Sequence, residues 1–260
     1  MPEIPANQLE IFALIFIRVS TMLILMPVLS TNLLPKKIKI IIALLTTFIL
    51  FPTIIGFHNF TSSTHLIQFF ILVPQEIFFG VFVAFFWQFI FFSLRIAGSI
   101  AGFQMGFFVA SVIDPDKGSE SPIISELYYI AGILLFLALN GHHRMIESLI
   151  YSFQEVPFGK LYYGKGLINN LINLTQSSFE TAIKISLPIL ATLLLVEVGL
   201  GLIARVAPQI NILMVGFPLK IGIGIIVLMY SIPFFSYIFS KSYSLFSTNV
   251  FQVIKILGGR

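Results

Sequence analysis

The stretch EVGLGLIARVAPQINILMVGFPLK, residues 197–220, decides how the rest of the chain is read. Apolar runs flank it on both sides, yet it carries Glu197, Arg205, Gln209, Asn211 and Lys220. Pro208 has no amide hydrogen and its ring collides with the preceding turn, so a helix is expected to end or kink near Ala207. Pro218 is expected to repeat that break ten residues later. At membrane depth, broken backbone survives only where protein or a watery cavity satisfies the freed polar groups. Two readings follow. Either the stretch faces other protein or a pore, or it is an ordinary polar loop whose charges mark the ends of two spanning helices.

Composition supports the membrane. Hydrophobic residues make up 57% of the 260 and charged residues 10%, against about 25% charge in a soluble domain. The mean hydropathy is +1.00. With 29 Phe, 8 Tyr and one Trp, bulk comes from aromatics other than tryptophan. There is no cysteine, so thiol chemistry is excluded and redox usage does not locate the protein. Met1-Pro2-Glu3 lacks a basic leader, which points to a retained first apolar helix rather than a cleaved signal. The net charge of +4 comes without the clustered basic stripe that nucleic acid requires. No P-loop, dinucleotide fingerprint, HExxH or acidic metal loop is present, so neither an enzyme nor a cofactor is expected.

Six apolar segments are expected in an all-α chain. Leu9–Leu29 is the first, long enough for the roughly 20 residues a bilayer needs. Arg18 lies in its middle, where a charge costs about 2.5–3.5 kcal/mol. It calls for a partner within a complex or a watery groove, the alternative being a side chain that snorkels from a lipid face. Lys36, Lys37 and Lys39 then form a short basic loop. Ile38–Ile55 is the second segment, closed by Pro52 and Gly56, and a polar link from His58 to His65 follows. Leu66–Phe92 is the third, rich in phenylalanine, with Pro74, Gln75 and Glu76 near its start. Gly98, Gly102 and Gly106 recur every four residues. On a helix they would form a smooth face for close backbone approach, to a partner subunit or within the same chain.

Residues 111–121, SVIDPDKGSES, form a turn-rich acidic loop between apolar blocks. Asp114-Pro115 favours a turn there. Ile123–Leu139 is the fourth segment, ended by Asn140-Gly141. His142, His143, Arg144 and Glu147 read as a surface helix start, because a third metal ligand at suitable spacing is missing. Leu167–Lys184 is amphipathic; Ile185–Ile203 and Ile221–Phe239 are the fifth and sixth segments. Sorted as simple spans, one side holds Lys36, Lys37, Lys39, Arg95, Lys117, Arg205 and Lys220. The other holds Arg144, Lys160, Lys165, Lys184, Lys241, Lys255 and Arg260. Seven against seven leaves the positive-inside rule without a preferred orientation, as expected if some apolar segments pack on protein rather than crossing lipid.

Three blocks stand out: Ala204-Arg205-Val206-Ala207-Pro208-Gln209-Ile210-Asn211 with Val215-Gly216-Phe217-Pro218-Leu219; Arg95-Ile96-Ala97-Gly98 with Gly102-Phe103-Gln104-Met105-Gly106-Phe107 and Asp114-Pro115; and Phe136-Leu137-Ala138-Leu139-Asn140-Gly141-His142. Together they resemble the FliR/SctT family of export-gate membrane components. The likeness covers nearly the whole chain. It implies a single membrane domain over residues 1–260: helical hairpins at 9–110, a plug-like loop at 111–122 and further hairpins at 123–260. It also implies a subunit that joins FliP and FliQ in the inner membrane of the flagellar basal body, docks with FlhA and FlhB, and surrounds a passage for unfolded protein. Phe107, Phe108, Asp114 and Pro115 are then expected in the plug, with Gln104 and Met105 supporting it, since apolar constrictions gate by dewetting. Gly98, Gly102, Gly106, Glu197, Arg205, Pro208, Gln209, Asn211 and Pro218 are expected at subunit contacts. Glu197 lies eight residues from Arg205, on the same helix face, and is a candidate partner for it. A virulence-type secretion homologue stays open as an alternative. So does a small-solute transporter, favoured by broken helices carrying charge but lacking a paired inverted repeat.

Overall fold

The structure is a computed structural model and describes residues 6–27, 35–56, 66–107, 123–162, 164–209 and 211–259. Among these the secondary structure is helical, with no strand. The helices are α1 (Ala6–Leu25), α2 (Lys36–Ile55), α3 (Leu66–Met105), α4 (Ile123–Ala138), α5 (Gly141–Glu155), α6 (Lys165–Val206) and α7 (Ile212–Leu257). Five of them are long and apolar enough to cross a membrane, or six spans if α4 and α5 count as one broken span.

The helices are longer than the hydropathy segments. The third segment does not stop at Phe92: α3 runs 40 residues through the glycine block to Met105. The amphipathic stretch from Leu167 and the fifth segment are one 42-residue helix, α6. The sixth segment is the middle of a 46-residue helix, α7. At 1.5 Å per residue these measure about 60–70 Å, roughly twice a hydrocarbon core.

Proline explains much of the difference. Pro52, Pro74, Pro188, Pro218 and Pro233 all sit inside helices. One interior proline removes a single hydrogen bond, and apolar neighbours on both sides keep the helix going. The break expected at Pro218 is therefore absent. The break at Pro208 is real: α6 ends at Val206 and α7 starts at Ile212. There a second signal completes the stop. Asn211 Oδ1 accepts the Met214 amide at 3.3 Å, which makes Asn211 the N-cap of α7. No capping residue follows Pro218.

Two compact units are assembled from discontinuous segments: Met1–Phe89 with Asn140–Leu174 and Leu245–Arg260, and Ile90–Leu139 with Thr175–Ser244. The first is organised around Arg18, which is 1% exposed. Its Nε donates to Glu76 Oε2 at 2.5 Å, and its NH1 donates to the Ser152 and Val156 carbonyls at 3.1 Å each. The guanidinium also lies over the rings of Phe79, Phe153 and Phe158. The expected partner in a complex or a watery groove is thus replaced by one inside the chain. A charge at this depth is tolerated because pairing and hydrogen bonding offset its desolvation. Nearby, Trp87 Nε1 donates to Ser148 Oγ at 3.1 Å, tying α3 to α5.

The second unit has an aromatic core. Phe91 meets Tyr129 and Phe136 edge-on, with centroids 5.7 and 5.5 Å apart, while Tyr128 lies 5.2 Å from Phe235 of α7. Such tilted pairs add about 0.5–1.5 kcal/mol each beyond area burial. Gly132 gives Leu94 the room to enter.

Candidate functional site: the seam between the end of α3 and the α6–α7 hairpin

The end of α3 is shaped by a Schellman turn. Gly106 has φ +91°, the Gly106 amide donates to Phe103 O at 3.0 Å, and the Phe107 amide donates to Gly102 O at 3.1 Å. A left-handed residue at this point favours glycine. Gly106 therefore does not lie on the helix face with Gly98 and Gly102; it ends the helix. A Cβ at Gly106 would also fall 2.8 Å from the Phe217 ring of α7.

A further contact seats this end. The Met105 side chain occupies the space above Gly224, where a Cβ would come within 2.7 Å of it. Phe217, Lys220 and Gly224 follow one another at helical spacing on α7, so a single stripe receives the α3 terminus. On α6, Glu197 is ion-paired with Lys220, which corrects the expected pairing with Arg205. The reason is geometric. Eight residues along one helix span about 12 Å, whereas the hairpin brings Lys220 directly across. Arg205 is exposed and has no ion-pair or hydrogen-bond partner among the described residues. Gln104 Nε2 is buried with no hydrogen-bond partner among the described residues.

Beside the ion pair, α6 and α7 enclose a half-open cavity of about 260 Å³ walled by Leu200, Gly201, Ala204, Gly216 and Phe217. Its lining is mostly apolar with the Glu197–Lys220 pair in the wall. This chemistry suits packing of an apolar group rather than catalysis. Among the described residues no three His, Cys, Asp or Glu side chains converge as a metal site. Arg144 is instead paired with Glu147 at 2.9 Å.

The first half of the glycine block docks elsewhere. A Cβ on Gly98 would lie 2.8 Å from the Ser125 amide and 2.9 Å from Ile124 O, so its close approach is to α4 of the same chain. Ser125 Oγ donates to Arg95 O at 2.9 Å, and the Arg95 guanidinium lies 4.1 Å from the Tyr129 ring. Gly102 is buried. Asn140 adopts the left-handed conformation at φ 56°, which asparagine tolerates, and turns the chain into α5. Pro208 and Gln209 are exposed in the α6–α7 turn, and Pro218 is exposed on α7. Phe108, Asp114 and Pro115, with the rest of the expected plug at 109–122, lie outside the described residues.

The structure adds residues that sequence reading passed over. Lys220 was visible as a charge but not as the partner of Glu197, and Glu76 was visible but not as the partner of Arg18. Asn211 carried a readable signal, an asparagine immediately before an apolar helical run.

The chain matches known proteins over most of its length. The family model described as "Bacterial export proteins, family 1" matches residues 9–246. The chain is 32% identical over 221 residues to the flagellar biosynthetic protein FliR of Bacillus subtilis, covering 84% of each chain. To the FliR protein of Escherichia coli it is 31% identical over 239 residues, 88% of each. To that of Aquifex aeolicus it is 26% identical over 238 residues, 90% of each. The family match brackets both the Gly102–Phe107 turn and the Glu197–Lys220 hairpin that receives it, and this chain belongs to the FliR family of bacterial export proteins.

Proposed function

We propose that this chain is a structural, non-enzymatic subunit of the flagellar protein-export gate. In this reading it joins FliP and FliQ in the inner membrane at the flagellar basal body, with FlhA and FlhB docked to the assembly. Unfolded flagellar proteins pass through the channel these subunits surround. The observation that carries the reading is the seam: the turn at Gly106 that ends α3 packs on Phe217 of α7, more than a hundred residues along the chain, and Met105 fills the space at Gly224. Residues 108–122 follow that turn in the sequence, and there the family resemblance implies a plug.

Large apolar side chains left open on α6 and α7 add support. Leu195, Val206, Met214 and Tyr230 are 74–86% exposed, and in this reading partner subunits or lipid cover them. The solute-transporter alternative draws less support, because the deepest charges, Arg18 and Glu76, are spent on each other in a packed core. The test is co-expression with and without FliP and FliQ, followed by the mass of the detergent-solubilised particle. A multi-subunit particle containing this chain is expected. A lone, stable monomer indifferent to both partners would sink the proposal.

A further inference from the structure

We propose that the outward face of α2 is a lipid-contact surface, with anionic phospholipid head groups gathered at its Lys36–Lys37 end. This goes beyond the export reading and rests only on a membrane location.

The dimensions fit. α2 has 20 residues, about 30 Å of helix, which matches one hydrocarbon core; α3, α6 and α7 are about twice that length. One face of α2 is turned into the protein, with Ala43, Thr47, Leu50 and Ile54 buried and Phe51 edge-on to Phe12 of α1 at 5.4 Å. The opposite face carries Ile41, Leu44, Leu45, Phe48 and Ile49, with Phe48 71% and Ile49 70% exposed.

The chemistry of that face favours hydrocarbon over another helix. Between Lys39 and Pro52 the polar side chains are Thr46 and Thr47. They donate to Ile42 O at 2.8 Å and Ala43 O at 2.7 Å within their own helix. No hydroxyl in that stretch needs water, as a lipid-exposed helix requires. Helix partners are received by small residues, whereas this face presents branched and aromatic bulk and its one alanine is turned inward.

Charge is confined to one end. Lys36 and Lys37 are exposed, no acidic residue lies in the first turn, and neither has an ion-pair partner among the described residues. The far end, Ile55-Gly56, carries no charge. Apolar length ending in paired lysines is complementary to one anionic leaflet surface. Each lysine there is worth about five-fold in lipid partition, and the pair about 30-fold.

The experiment uses the full chain in nanodiscs of mixed phosphatidylglycerol and phosphatidylcholine. A photo-crosslinking phenylalanine analogue at Phe48 is expected to capture lipid, and one at buried Leu50 is expected to capture protein. Phosphatidylglycerol retained through native mass spectrometry is expected to fall by about 30-fold in Lys36→Gln/Lys37→Gln. The charge-matched variant Lys160→Gln/Lys255→Gln is expected to retain it. Capture of a protein subunit at Phe48 overturns the inference, as does unchanged retention in the first variant or an equal loss in the second. Export measured on the same variants keeps the two readings separable: lipid capture at Phe48 in a chain that forms no complex with FliP and FliQ counts against the gate alone.

Discussion

Replacing Glu76 by Gln is expected to be among the most damaging single changes to the first unit. Arg18 and Glu76 are 1% and 2% exposed, so solvent cannot compensate a lost partner. The substitution keeps the shape and a neutral acceptor but removes the negative charge, leaving the guanidinium's charge to backbone carbonyls and three ring faces. Stranding one member of a buried pair costs about 3–5 kcal/mol. Arg18→Met strands Glu76 instead and removes the donor to the Val156 carbonyl; the Ser152 carbonyl keeps the Val156 amide at 3.0 Å. The double change Arg18→Met/Glu76→Leu strands no charge and leaves only the Val156 carbonyl without its donor. It is expected to recover most of the loss, because a well-packed apolar replacement of a buried pair is often neutral. The assay is denaturant titration of the solubilised chain followed by tryptophan emission. The chain has one tryptophan, Trp87, and its hydrogen bond to Ser148 places the signal in this unit. A Glu76→Gln chain as stable as the parent, within about 0.5 kcal/mol, would refute the reasoning, since changes that small belong to surface sites.

Four other outcomes are expected. Glu197→Gln or Lys220→Met is expected to cost only about 1 kcal/mol in the isolated chain, because the pair is 41% and 19% exposed; the exchange Glu197→Lys/Lys220→Glu should restore that stability if the pairing is correct. Gly106→Ala is expected to cost about 1–2 kcal/mol from the left-handed backbone, plus the clash with Phe217, read as a lower unfolding midpoint. Gly98→Val is expected to force α3 and α4 apart at Ser125, with lost stability and looser near-ultraviolet dichroism. Gly199→Ala and Gly222→Ala meet nothing within 4 Å and should stabilise the isolated chain by up to about 1 kcal/mol each. If the same two changes weaken assembly with FliP and FliQ, those glycines lie at a subunit contact.

Composition and local signals were enough to settle the membrane class and the all-helical fold. Apolar composition settles a membrane chain because nothing else tolerates so little charge. Pro208 is legible as a break because its missing amide and the nearby Asn211 cap act within a few residues of one another. Other features could not be read that way. Pro218 carries the same local signal as Pro208, yet α7 runs through it, because a proline alone does not supply the cap a new helix needs. Glycine spacing placed Gly106 on a helix face, while its φ of +91° comes from the turn that ends α3. It takes the packed helices to show that Arg18 answers to Glu76, 58 residues away, and that Glu197 answers to Lys220 rather than Arg205. Pairing of charges is set by which helices lie side by side, and helix packing is a property of whole faces meeting rather than of spacing along one of them.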